Sequence, residues 1–133
     1  MTPAELTDIA IRYTNAWNSQ DPIAIVSHYA PDGFLSINGA DPVVGHVALA
    51  ELFNNYFAAL PDAVITMDLV RGAGDKAIYA WTYQGTNTGL GGTGNKVRFS
   101  GWEAWTFDAN GMVKQSIGTF DAAEYERQLA EGV

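Results

Sequence analysis

The chain has 133 residues, 47% of them hydrophobic, which is enough to bury a core without staples and makes one domain over residues 1–133 the natural expectation. It has no cysteine, so disulfides, thiolate metal sites and cysteine nucleophiles are excluded. Its net charge of −8 comes from 15 acidic and 7 basic residues, and the basic ones stand singly, so nucleic acid is not an expected partner.

Thr2-Pro3-Ala4-Glu5 is a capping box with proline at the first helical position. Leu6, Ile9, Ala10, Tyr13 and Trp17 follow at helical spacing, so a first helix is predicted to about Ser19. The segment reads as a capped helix and not as a signal peptide. No apolar run approaches the ~20 residues that span a bilayer, so a cytoplasmic location and no membrane partner are expected. Asp21-Pro22 caps a second, short helix through Ile23 and Val26 as far as Tyr29. Ala30-Pro31-Asp32-Gly33 stops it with turn chemistry. Phe34 to Asn38 is predicted as a short strand, and Gly39 to Gly45 as a loop.

A third helix is predicted from about His46 to Ala59, with Leu49, Leu52, Phe53, Tyr56, Phe57 and Leu60 as its apolar stripe. Val64 to Val70 alternates, with Ile65, Met67 and Leu69 on one face, and Arg71 to Asp75 reads as a hairpin turn. Three long aromatic strands follow, around Trp81, from Val97 to Phe107, and from Met112 to Phe120. Asp108-Ala-Asn-Gly111 is the last turn, and Asp121 to Ala130 a terminal helix. Helices first and hairpin-linked strands after them is the pattern of an α+β fold. Short turns favour antiparallel neighbours. Three helices against one curved antiparallel sheet would leave a cavity between the layers.

Aromatic walls around a few isolated polar groups are how a small protein builds an apolar ligand site. Asp121 is one such group, either as an acid/base at a cavity or as the cap of the terminal helix. Glu103 is a second, between Trp102 and Trp105. Alternation puts it on one strand face with Gly101 and Trp105, but leaves open whether that face looks inward. Tyr13 lies on the apolar stripe of the first helix, as a core residue or as a working hydroxyl. Trp17, Tyr56, Trp81, Tyr83 and Trp105 are candidate walls of a substrate site. Asn87 could orient a substrate carbonyl or simply shape a turn. His28 and His46 show no metal-ligand spacing, so no metal site is expected. Gly89-Leu-Gly-Gly-Thr-Gly94 spells a dinucleotide fingerprint, but it joins two strands and no helix follows it.

Arg12-Tyr-Thr-Asn-Ala-Trp-Asn-Ser-Gln-Asp21 and Tyr29-Ala-Pro-Asp32 resemble the opening of the nuclear transport factor 2-like superfamily. Gln84-Gly-Thr-Asn-Thr-Gly89, Gly94-Asn-Lys-Val-Arg-Phe-Ser-Gly101 and Gly111 to Asp121 are similar to one branch of it, the SnoaL-like polyketide cyclases. The resemblance implies a cone-shaped α+β barrel with a deep apolar pocket, a homodimer formed through the sheet, and no cofactor. It implies aldol or proton-transfer chemistry on a hydrophobic carbonyl compound, with Asp121 aligned to the branch's acid/base. Asn87 stands where the branch often has histidine, and Lys114-Gln115 where it often has Glu-His. Ketosteroid isomerases share the fold. Tyr13 falls at the position of their substrate-binding tyrosine and Glu103 near that of their protonated acid, while Ile37 occupies the place of their base. A non-catalytic module that binds a small ligand or its own twin is the alternative on the same fold.

Overall fold

The Thr2 hydroxyl accepts a hydrogen bond from the Glu5 N–H at 3.1 Å and Pro3 fills the first turn, so helix α1 (Pro3–Asn18) starts where its sequence says. The computed structural model describes residues 1–133. Asp21 caps α2 (Pro22–Val26) by accepting from the Ile23 N–H. Two further helices are α3 (His46–Ala59) and α4 (Ala122–Glu131). The strands are β1 (Tyr29–Ile37), β2 (Val43–Val44), β3 (Val64–Ala73), β4 (Lys76–Thr86), β5 (Lys96–Phe107) and β6 (Val113–Phe120). No helix is long and apolar enough to cross a membrane.

The strands form one curved, open, six-stranded sheet in the order β2-β1-β6-β5-β4-β3, and with the four helices it makes the α+β cone expected from the sequence. The consecutive strands from β3 to β6 pair antiparallel through short turns, as predicted. The β1–β6 pairing is parallel. Most of the chain lies between these two strands, so no tight turn dictates their direction.

Four local expectations change. Val43 and Val44, inside the expected loop, pair antiparallel with Leu35 and Phe34 as β2. Tyr29 ends no helix: it opens β1, and Ala30 to Gly33 lies inside that strand as an irregularity in its pairing with β6. Gly33 is needed there, because a Cβ on it would stand 2.6 Å from the Val113 carbonyl oxygen. The alternation predicted for β3 breaks between Met67 and Leu69, where the register shifts. Ile65 points inward, but Leu69 is 42% exposed and Val70 takes the inward place. The β3–β4 turn is tighter than expected, a two-residue Gly74-Asp75 loop with Gly74 at φ 63°.

Helix α1 packs along β3, and the Asn18 amide bonds the Ile65 backbone in both directions, at 2.9 and 2.8 Å, so this edge strand gains a side-chain partner. The core is aromatic. Tyr13, Tyr29, Phe53, Tyr79 and Trp105 are fully buried, and Tyr79 stacks on Trp105 with ring centres 4.8 Å apart.

Candidate functional site

Strand register decides which polar groups reach the interior. β4 pairs with β5 so that Tyr79 lies opposite Glu103, Trp81 opposite Gly101 and Tyr83 opposite Phe99. β5 pairs with β6 so that Glu103 lies opposite Gly118 and Trp105 opposite Ser116. These residues share the inner face, and Glu103, which the sequence could place on either side, is only 6% exposed.

Glu103 stands at the centre of a converging set of donors. Its Oε1 accepts from Ser116 at 2.8 Å, Tyr13 at 3.0 Å, Tyr29 at 3.2 Å and the Trp105 indole at 3.3 Å. Its Oε2 accepts only from Tyr13, at 3.2 Å, and the two tyrosine hydroxyls are themselves 3.2 Å apart. No cation takes part. Burial raises the pKa of the carboxyl, and the hydrogen bonds from Ser116, Tyr13, Trp105 and Tyr29 pull it back without cancelling the effect. Burial likewise raises Tyr13, Tyr29, Tyr79 and Tyr83, and lifts Tyr56 to about 12, so these hydroxyls remain protonated. The loaded Oε1 leaves Oε2 as the oxygen free to gain or lose a proton.

Glu103 borders a cavity of about 70 Å³. α1 and α3 contribute Trp17 and Tyr56, and β4 contributes Trp81 and Tyr83. Phe99, Gly118 and Phe120 continue the wall along β5 and β6. Leu35, Ile37 and Ile65 close it on the β1 and β3 sides, and Tyr125 of α4 packs over Phe99 with ring centres 4.6 Å apart. Glu103 is the one carboxyl in this lining, which holds no histidine, lysine or arginine. No three histidine, aspartate or glutamate side chains are grouped to hold a metal.

The sequence candidates divide. Trp17, Tyr56, Trp81, Tyr83 and Glu103 meet at the cavity. Tyr13 is fully buried behind it and reaches the cavity only through Glu103. Trp105 is 1% exposed and serves as stacking partner and donor to Glu103, not as wall, because the Tyr79 ring covers its face. Asn87 lies outside the lining. Its amide donates to the Ala59 carbonyl at 3.0 Å and accepts from the Thr93 N–H at 2.8 Å, so it ties the glycine loop to the end of α3. Asp121 is exposed, outside the lining, and its carboxylate accepts the Glu124 N–H at 3.1 Å as the N-cap of α4.

Tyr29 and Ser116 were missed as partners of Glu103. Tyr29 was hidden by the turn-like residues after it. Ser116 had a usable signal, since it alternates with Gly118 and Phe120 on one face of β6.

A family model described as "SnoaL-like domain" matches residues 10–116. No curated protein sequence matches the chain. Solved structures match it over nearly its full length. A proposed SnoaL-like polyketide cyclase from Jannaschia sp. CCS1 superposes with a TM-score of 0.85 at 15% identity, covering 100% of this chain and 98% of that one. AclR from Streptomyces galilaeus, a proposed hydroxylase, gives 0.84 at 21% identity, covering 98% of each chain. TerC co-crystallised with polyporic acid gives 0.79 at 14% identity, covering 94% of this chain and 98% of that one.

Proposed function

We propose, from the premise that the chain belongs to the SnoaL-like domain family, that it is a cofactor-independent enzyme of the cyclase or isomerase type, acting on a hydrophobic carbonyl compound with Glu103 as its acid/base. Residues 1–133 act as one domain in this reading. The observation that carries it is a single buried carboxyl, free of any cation, ringed by donors and bordering an apolar cavity. Desolvation moves such a carboxyl toward a working pKa. The co-crystallisation of TerC with polyporic acid supports a small-molecule ligand on this fold.

The ionised Glu103 takes a proton from the carbon beside a carbonyl, and the electrons of that C–H bond move to the carbonyl oxygen as an enolate. In an isomerisation the protonated Glu103 returns the proton to another carbon. In a cyclisation the enolate carbon first adds to a second carbonyl, and the proton goes to the new alkoxide. Tyr13, Tyr29, Trp105 and Ser116 act through Glu103: they fix its rotamer and moderate its affinity for the proton. Asp121 takes no part in this scheme, since it is engaged as a helix cap.

One observation favours a second reading, a ligand-binding module without chemistry: no second acid or base lines the cavity beside Glu103. Deuterium exchange separates the two. Acetophenone and cyclohexanone are incubated with the protein in heavy water, and α-deuteration is followed by NMR. The enzyme accelerates exchange over buffer, and Glu103→Gln, nearly isosteric, lowers that acceleration at least about 100-fold. Equal exchange by wild type and Glu103→Gln removes Glu103 from the mechanism. Binding without exchange leaves the binding module.

A further inference from the structure

The cavity beside Glu103 is smaller than the carbonyl compounds proposed for it. Its room is about 70 Å³, whereas a cavity that takes a single benzene ring measures about 150 Å³. Part of the wall therefore gives way when a ligand enters, and the wall elements differ in how firmly they are held. β4, β5 and β6 are hydrogen-bonded to one another along their lengths. α1 has Ala10 and Tyr13 fully buried, and α3 has Leu49 and Phe53. α4 has no such anchor. Its one buried residue is Gln128, a polar side chain. Its salt bridges, Glu124–Arg127 and Arg127–Glu131, both lie within the helix. It begins just after Phe120, rests chiefly on β5, and sends Tyr125 into the cavity lining against Phe99 and Phe120.

We propose that α4 is a lid over the cavity: it swings away from β5 to admit the ligand and rests Tyr125 on the ligand once it is inside. This rests on the reading of the cavity as the substrate site. Three hydrogen bonds near the far end of the helix form the latch. β6 pairs with β5 only as far as Gly101, and beyond it Gln128 Oε1 accepts the Arg98 N–H at 2.6 Å in place of a strand. The Leu129 carbonyl accepts the Thr93 hydroxyl at 2.5 Å and the Asn95 amide at 2.8 Å. Asn87 fastens the loop that carries Thr93 to the end of α3, so the loop is the fixed side of the latch and α4 the moving one. At the near end, Asn38 Oδ1 accepts the Phe120 N–H at 2.9 Å, so β6 is held to its last residue and the motion starts beyond it. A segment that buries little apolar surface and is held by a few hydrogen bonds opens at a lower cost than global unfolding. Closed over a ligand, it keeps water from Glu103.

The test combines native-state hydrogen exchange with NMR line-shape titration of acetophenone on the wild type, Gln128→Ala and Asn95→Ala. Each variant deletes one latch bond, and neither residue lines the cavity. Asn95 lies outside every strand and helix, so Asn95→Ala tests the latch even where Gln128→Ala fails to fold. In the free wild type, the amides from Tyr125 to Glu131 are at least about 100-fold less protected than those from Trp102 to Thr106 in β5. Each variant lowers the α4 protection about fivefold further, the worth of one hydrogen bond, and leaves β5 unchanged. The latch bond is lost equally from free and liganded protein, so the association and dissociation rates of acetophenone both rise about fivefold while its Kd holds within about twofold. Equal protection of α4 and β5 in the wild type overturns the lid. Unchanged ligand rates in a variant whose α4 protection has fallen overturn it too, and leave the cavity as a ligand site entered by another route. If the folded wild type and variants bind no acetophenone, the lid falls together with the substrate cavity. Loss of α-deuteration in Glu103→Gln is a separate readout, so failure of the acid/base reading is told apart from failure of the lid.

Discussion

Asp121 and Glu103 carry the same functional group in opposite surroundings. The Asp121 carboxylate sits in solvent and accepts a backbone N–H at the start of α4, while Glu103 is 6% exposed and meets only neutral donors. The motif at the end of the last long strand drew attention to Asp121, because a cap and a pocket acid look alike in sequence. Glu103 was visible as an acid among tryptophans, but its direction was not, since alternation gives two faces and not which of them is inner. Tyr13 was legible from the helical stripe, and its bond to Glu103 was not, because the two lie 90 positions apart in sequence. The placement makes a testable difference. Asp121→Ala costs about 1 kcal/mol of stability and Asp121→Asn far less, as expected of an N-cap. Neither variant changes α-proton exchange. Urea denaturation beside the exchange assay checks both statements.

At the scale of elements, the site is a product of register. Glu103 looks into open space because the residue opposite it on β6 is glycine. A Cβ built on Gly118 meets Ile37 Cγ1 at 3.5 Å and Leu35 Cδ1 at 3.6 Å, which are ordinary contacts. Gly118→Ala therefore leaves stability within about 0.5 kcal/mol of wild type. It fills space beside Glu103 and lowers ketone affinity at least about tenfold, as ligand titration and urea denaturation on the same sample would show. The helices were legible in the sequence because caps and stripes are local: Thr2-Pro3 and Asp21-Pro22 start α1 and α2 where predicted, and α3 keeps its predicted bounds. The two irregular strands were not. The break in β1 at Ala30 to Gly33 and the slip in β3 after Met67 depend on the partner strand, which no local pattern reports. Asn87 shows the same limit, since its partners at Ala59 and Thr93 are brought to it by the fold.

For the whole molecule, the α+β order of elements and the family likeness announced the cone, and the cavity arises where the curled sheet and the helices fail to touch. The outer face of the sheet is less polar than a solvated face needs to be. Leu69 is 42% exposed, Ile78 42% and Trp102 47%, and Leu69 and Trp102 both flank Ala80 in the ladder. We propose that a second copy covers this face, giving the homodimer that the family likeness implies. Sedimentation at micromolar concentration then gives a dimer, and Trp102→Asp gives a monomer with an intact cavity. A monomeric wild type contradicts this.

The proposed chemistry requires Glu103 to be a desolvated carboxyl able to carry a proton. The most direct measurement is a side-chain carboxyl NMR titration of the intact protein, with Glu103→Gln to assign the resonance. Glu103 is expected to titrate clearly above the ordinary glutamate value of about 4.3, because burial outweighs its four hydrogen-bond donors. Titration at or below that value would mean that the donors hold the carboxylate permanently ionised. Glu103 would then be a structural anchor for Tyr13 and Tyr29, and the proton-transfer mechanism would fail.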